Sequence, residues 1–351
     1  VLSRQNAKPL IINGDMKVFQ RGTSVTSVTS NGCKIADRMY FEHGSLGTWT
    51  IAQSTDVPTG QGFVKSQKYD CTTADASPAS GDYLLPIEYH FEGVDLQLLK
   101  KGTSSAEPIT VAVWLKSNLT GNFNMEIWDR QNDRQIHAVC NIGSANTWTK
   151  FVKTFPGDTT GALTADSAHR FSIGIWGDSG SNFRGGTVST AWGANVAANR
   201  CEGNVNLGNN TANELLVCGL QMEIGSFDAN SIPPFQHESF GDNFSRCQRY
   251  FQKYTQPPLI GSANATNTVA RASIGLFPVQ MRAAPTAVQS GTFNWFYSNG
   301  HQPTSTALAA SYTDIDTAEF DITMGQNGMT ATHPCSVLQN GSGFLSFEAE
   351  I

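Results

Sequence analysis

Apolar and polar positions alternate most clearly after Pro108. In residues 109–117, Ile109, Val111, Val113 and Leu115 alternate with Thr110, Ala112, Trp114 and Lys116. This is the period of two with which a strand buries one face. Phe123, Met125 and Ile127 alternate in the same way with Asn124, Glu126 and Trp128. With a turn at 118–122, the two runs read as a hairpin with its apolar face inward and with Trp114 and Trp128 on the other face. Further strands are expected at 48–51, 83–91, 135–140, 147–155, 170–176 and 214–224, and residues 94–99 fit either a helical turn or a strand. Short strands at this spacing predict a mainly β chain built on a jelly-roll β-sandwich. Between them, residues 177–213 form a long Gly- and Asn-rich stretch, of a length usually reserved for functional or mobile loops.

One stretch changes period. Phe240, Phe244, Cys247, Phe251 and Tyr254 recur at intervals of four and three, which predicts an amphipathic helix over 239–254. Ser239 suits its N-cap, Asp242 its first turn, and Arg249 and Lys253 its end; Pro257-Pro258 stops it. The same five residues occupy a and d heptad positions and form a candidate oligomer seam. The expected organisation is a linker from an upstream region (1–9), the jelly roll (10–235), a short linking helix (236–256) and a second, smaller β domain (257–351). Strands in the last are expected at 268–277, 286–290, 292–297, 319–324 and 343–351.

Composition narrows the function classes. Charged residues make up 15% of the 351 and the net charge is −6, against a typical charged share of about 25%. No basic run exists, so a nucleic-acid partner is not expected. No apolar run approaches the roughly 20 residues of a membrane span, so membrane insertion is not expected, and Leu10-Ile11-Ile12 is too short for the apolar region of a signal peptide. Seven cysteines stand singly, with no CxxC pair, which points to free thiols rather than to a zinc site or disulfide framework.

Catalytic patterns are sparse. Gly177-Asp178-Ser179-Gly180 matches the nucleophile sequence of trypsin-like proteases, but the histidine motif that a triad needs is missing. There is no His-Glu-x-x-His, no Gly-x-Ser-x-Gly and no phosphate-binding loop. Glu88, Glu92 and Asp95 offer a carboxylate pair for glycoside hydrolysis of a kind found in almost any chain of this size; no catalytic residue, metal ligand or cofactor is expected. Aromatic residues carry the better signal, since their rings stack on sugar faces while Asn, Gln and Asp side chains read hydroxyls. Candidate glycan contacts are Trp114, Trp128, Trp192, Trp295 and Tyr297; most tryptophans in such a chain fill the core.

A series of segments resembles a widespread group of bacteriophage tail-fibre and other virion structural proteins. It opens with Ile11-Ile12-Asn13-Gly14-Asp15-Met16, Gln20-Arg21-Gly22 and Ala36-Asp37-Arg38. It continues with the 108–117 strand and its Leu-Lys-Ser-Asn ending, with Phe155-Pro156-Gly157-Asp158-Thr159-Thr160-Gly161, and with Gly219-Leu220-Gln221-Met222-Glu223-Ile224-Gly225. Residues 234–242 and Arg246-Cys247-Gln248-Arg249-Tyr250-Phe251 complete it, over about residues 10–254. The resemblance implies a non-enzymatic virion fibre component, a homotrimer with other virion proteins as partners, made in the bacterial cytoplasm and resident in the virion. Its large domain is similar to carbohydrate-binding jelly rolls, so host cell-surface polysaccharide is the expected ligand. Similar sandwiches often carry calcium, though no acid cluster here supports one. The alternatives are a purely structural head-fibre, capsid-decoration or baseplate component, and a polysaccharide depolymerase.

Overall fold

A computed structural model describes residues 8–257, 259–263, 269–296, 304–324 and 334–351. The chain divides into two compact units, residues 1–243 with Ile351, and residues 244–350. The fold is mainly β, and the first unit is a sandwich of two antiparallel sheets of jelly-roll class. One sheet has six strands in the order Ser24–Val28, Thr48–Ser54, Ser66–Thr73, Glu214–Ile224, Ile109–Ser117, Thr149–Phe155. The other runs Gly193–Ala194, Arg134–Ile142, Gly121–Asp129, His169–Ile175, Tyr83–Glu92, Tyr40–Gly44, Gly32–Cys33, with Asp178–Ser179 paired to Tyr83–Glu92 as its eighth strand.

The alternating positions fill the space between the sheets. Val111, Val113 and Leu115 from one sheet and Phe123, Met125, Ile127, Phe171 and Ile173 from the other belong to one buried cluster. The expected hairpin does not form. Ile109–Ser117 pairs with Thr149–Phe155 and Glu214–Ile224, whereas Gly121–Asp129 pairs with Arg134–Ile142 and His169–Ile175. The turn between them carries the chain from one sheet to the other. A period of two fixes which side chains point inward and says nothing of the neighbour across the ladder. Trp114 and Trp128 do face away from the core, on different sheets.

The N-terminal segment 10–15 is a turn, and it closes a buried polar knot. Asn13, at φ 58°, donates through Nδ2 to the carbonyls of Val18 (3.0 Å) and Asp37 (2.9 Å) and accepts through Oδ1 from the amides of Lys17 and Val18. Its own amide donates to Asn243 Oδ1 at 2.9 Å. The Asp37 carboxylate accepts from Gln20 (2.6 Å) and Arg21 (2.9 Å). A Cβ on Gly14 would lie 2.1 Å from the Leu220 carbonyl oxygen, so only glycine fits. Farther along, Asp158 is held by Lys101 (2.9 Å) and Arg134 (2.8 Å), and Gly219, at φ 64°, sits where the pairing of Glu214–Ile224 shifts register.

The helix is shorter than its periodicity predicts. It spans Phe240–Gln248, with the Ser239 hydroxyl accepting from the Asp242 amide at 3.2 Å. The Tyr250 amide then bonds the Cys247 carbonyl in a tight turn, and Phe251–Tyr254 is a strand paired to residues 345–348. Phe251 and Tyr254 are therefore not on a helical face, and the five-residue heptad seam does not exist as a helix. Phe240 is exposed, Phe244 half-buried and Cys247 buried.

The second unit is a seven-stranded antiparallel sheet in the order Phe251–Tyr254, Pro334–Glu348, Leu259–Ala263, Val269–Ser273, Ala318–Met324, Ser305–Thr313, with Thr286–Phe296 also paired to Pro334–Glu348. The two strands expected at 286–290 and 292–297 are one strand, Thr286–Phe296, with a register shift at Gly291, φ 79°. Phe293, Phe320, Ile322, Leu345 and Phe347 form its buried centre.

Candidate functional site

The outer face of the eight-stranded sheet carries an unusual row. Across four neighbouring strands, His137 stands opposite Glu126, Glu126 opposite Gly174, and Gly174 opposite Glu88. Glycine in the middle leaves no side chain between the two acids. Glu126 is buried and accepts from Arg200 Nε and Nη2 (both 2.8 Å), Trp176 Nε1 (2.9 Å) and His137 Nε2 (3.2 Å). Burial works to raise its carboxyl, but the Arg200 charge and the His137 and Arg200 hydrogen bonds outweigh it and hold it down at about 2.

Glu88 and Glu42 behave as a pair sharing a proton. Burial and the Glu88 charge push the Glu42 carboxyl up. Against its own burial, Glu88 is held down chiefly by His90, whose Nε2 lies 3.0 Å away, and by hydrogen bonds from Glu42 and Ser172. His90 Nδ1 meets the Ile351 oxygen. Its ring stacks on His169 at 3.8 Å, and burial followed by the His90 charge pushes that imidazole down to about 2. Every acid in the row is thus engaged within the protein, and none stands free as a nucleophile.

This network fastens the long loop. Arg200 reaches from it to Glu126 and lies over the rings of Trp128 (4.4 Å) and Trp176 (4.8 Å). Asn124 Nδ2 donates to the carbonyls of Arg200 and Glu202, and the Ser189 carbonyl accepts from the His137 amide. So held, the loop passes beside the turn at residues 75–82. A Cβ on Gly180 would lie 1.8 Å from the Ala79 oxygen, so the Gly180 backbone fits only because it carries no side chain.

Between loop and turn lies a cavity of about 340 Å³, lined by Asp75, Ser179, Ser181, Arg184, Asn206 and Asn209 among others. Asp178 anchors its wall: Oδ1 accepts from the Ser179 amide (2.7 Å) and Arg184 Nη2 (3.1 Å), and Oδ2 from the Gly208 amide (2.9 Å). Burial raises its carboxyl against those bonds. Ser179 is only 3% exposed, and its hydroxyl is shut off from water beside the Cys201 thiol. The neighbouring Cys201 thiol is pushed up to about 12 by burial. No histidine lines the cavity, which presents hydroxyl, amide and carboxylate groups to a polar ligand.

The expected glycan contacts do not converge. Trp114 is half-buried on the outside of the six-stranded sheet, close to Gly219 and Phe63. Trp128 lies on the outside of the other sheet, its ring covered by the guanidiniums of Arg130 (4.2 Å) and Arg200, which displaces it from the role of a sugar platform. Trp192 packs on Phe171 and donates through Nε1 to the Pro156 carbonyl at 2.7 Å. Trp295 falls in Thr286–Phe296 with its side chain outside the described residues, and Tyr297 lies outside them altogether. Of the cavity residues, sequence reading singled out only Asp178, Ser179 and Gly180, as part of a protease-like motif; Asp75, Ser181, Arg184, Asn206 and Asn209 come from irregular segments with no period, where the length of the 177–213 loop was the available signal. Among the described residues, no group of three or more His, Cys, Asp or Glu could hold a metal ion, and no helix is long and apolar enough to cross a membrane.

No protein-family model matches the sequence, and no curated protein matches it. Solved structures with partial likeness include the enzymatically active domain of tailspike protein 4 from bacteriophage CBA120, at 12% identity and a TM-score of 0.31. That alignment covers 62% of this chain and 21% of the tailspike chain, so the chain matches about a fifth of the tailspike's length. A putative sugar binding protein from Bacteroides thetaiotaomicron is similar at 11% identity over 62% of this chain and 100% of that one, with a TM-score of 0.33. TmCBM61 in complex with β-1,4-galactotriose is similar at 7% identity over 62% and 99%, with a TM-score of 0.30.

Proposed function

We propose that the protein is a non-catalytic bacteriophage virion fibre component that attaches to host-surface polysaccharide, and that the cavity beside Ser179 is where its sandwich takes glycan. The cavity carries the glycan part of this reading. It has the size of a small-ligand site, and Asp75, Ser181, Asn206 and Asn209 line it with groups that can hydrogen-bond sugar hydroxyls. The virion part rests on the ordered series of landmark segments over residues 10–254. Homotrimeric display of such sites would multiply a weak single-site affinity.

Two measurements test the reading. Antibody labelling of intact virions, viewed by electron microscopy, is expected to mark a fibre; labelling at the capsid or baseplate would favour the purely structural role. Saturating protein is expected to bind host cells and block adsorption, and to leave host polysaccharide at its original chain length. Failure to bind removes the attachment role, and shortened chains would make the protein a depolymerase.

A further inference from the structure

Resting on that glycan reading, we infer that the cavity selects an uncharged saccharide residue and rejects one bearing a carboxylate, sulfate or phosphate. The charged groups lining it are Asp75, Asp178 and Arg184, two acids against one base. The base is already committed. Arg184 donates through Nε to the Ser179 carbonyl (3.1 Å), through Nη1 to the Asn204 carbonyl (2.9 Å), and through Nη2 to Asp178 (3.1 Å) and to the Val205 carbonyl (3.3 Å). Four of the five N–H groups of a guanidinium are therefore spent on the wall itself, and its charge is balanced by Asp178.

What remains for a ligand is acceptor-rich. Asp75 uses Oδ1 to accept from the Ser77 amide (3.1 Å), which leaves Oδ2 to accept from a ligand. The Ser181 hydroxyl and the Asn206 and Asn209 amides can each donate and accept. A sugar hydroxyl, itself donor and acceptor, fits this set at any position. An anionic group only accepts, so it would meet the uncompensated Asp75 charge with no free cation to answer it. A divalent cation is the other species that two carboxylates could attract, but Asp178 already spends both oxygens on protein donors.

The test is a glycan array read with the full-length protein at low salt. It pairs neutral oligosaccharides with counterparts carrying a uronate, sulfate or phosphate. Wild type is compared with Ser181→Trp, at an exposed position on the cavity rim where bulk blocks entry without entering the core, and with Asp75→Lys. Calcium chloride alone is titrated calorimetrically into wild type. Neutral glycans are expected to bind at least about tenfold tighter than their acidic partners, to lose binding in Ser181→Trp, and to lose that preference in Asp75→Lys. Acidic glycans that bind as well, and are displaced by Ser181→Trp, would overturn the charge selection while leaving a glycan site in place. Binding that ignores Ser181→Trp, or no glycan binding at all, would overturn the cavity reading itself. Calcium binding abolished by Asp75→Lys would make this a cation site and overturn the inference.

Discussion

Arg200→Met removes the cation that fastens the long loop while keeping most of the side-chain volume. Glu126 would then keep only the Trp176 and His137 bonds in a site that excludes water. Breaking a buried pair by removing one partner costs about 3–5 kcal/mol, and the variant is expected to lose that much at pH 7. The pH dependence makes the test specific. Glu126 is depressed from 4.5 to about 2 in the folded protein, so its contribution is present above about pH 4.5 and is lost as pH falls toward 2. At about 1.4 kcal/mol per pH unit this is worth about 3 kcal/mol. The stability gap between wild type and variant is therefore expected to narrow by about that amount between pH 7 and pH 2. Urea unfolding followed by tryptophan emission reports mainly on the first unit, which holds six of the seven tryptophans. A gap below about 1 kcal/mol at pH 7, or one that stays constant with pH, would refute the role given to Arg200.

Three further outcomes are expected. Asn13→Ala deletes five side-chain hydrogen bonds and forces a Cβ residue with no compensating amide at φ 58°, for a loss of about 3–5 kcal/mol readable as a lower urea midpoint of the same tryptophan transition. Glu42→Gln mimics the protonated form. Because the Glu42 carboxyl is raised on folding, wild type loses stability as pH climbs above the ordinary carboxylate range. The variant is expected to have the flatter melting-temperature profile from pH 5 to 9, and a profile matching wild type would refute the shared proton. Phe251→Asp places a charge at a buried strand position and is expected to unfold the second unit, seen as lost protection of its strands in hydrogen exchange; a folded variant would contradict the strand assignment.

The sandwich was legible because burial on one face leaves a two-residue signature, as in Val111, Val113 and Leu115. Strand partners were not, since the ladder is made of backbone groups common to every residue; hence the false hairpin at residues 109–129. Phe251 and Tyr254 misled for a related reason. Their spacing suits a helix, but pairing with Glu348 and Leu345 outweighs local periodicity. The cavity was illegible because its lining gathers residues from about 75, 180 and 207 through irregular chain, and proximity of that kind leaves no local pattern.

The polar knot around Asn13 bears on which parts of the chain can be exchanged. Asn13, Gln20, Arg21 and Asp37, from the opening segments of the landmark series, are spent on holding the N-terminal turn in place. The cavity is lined by other stretches, whose side chains face solvent or a ligand instead of the knot. The residues of the knot are thus committed to holding the fold, and none of them lines the cavity. If the cavity takes glycan as proposed, exchanging residues 75–82 together with 178–209 would change what it binds while leaving the knot intact.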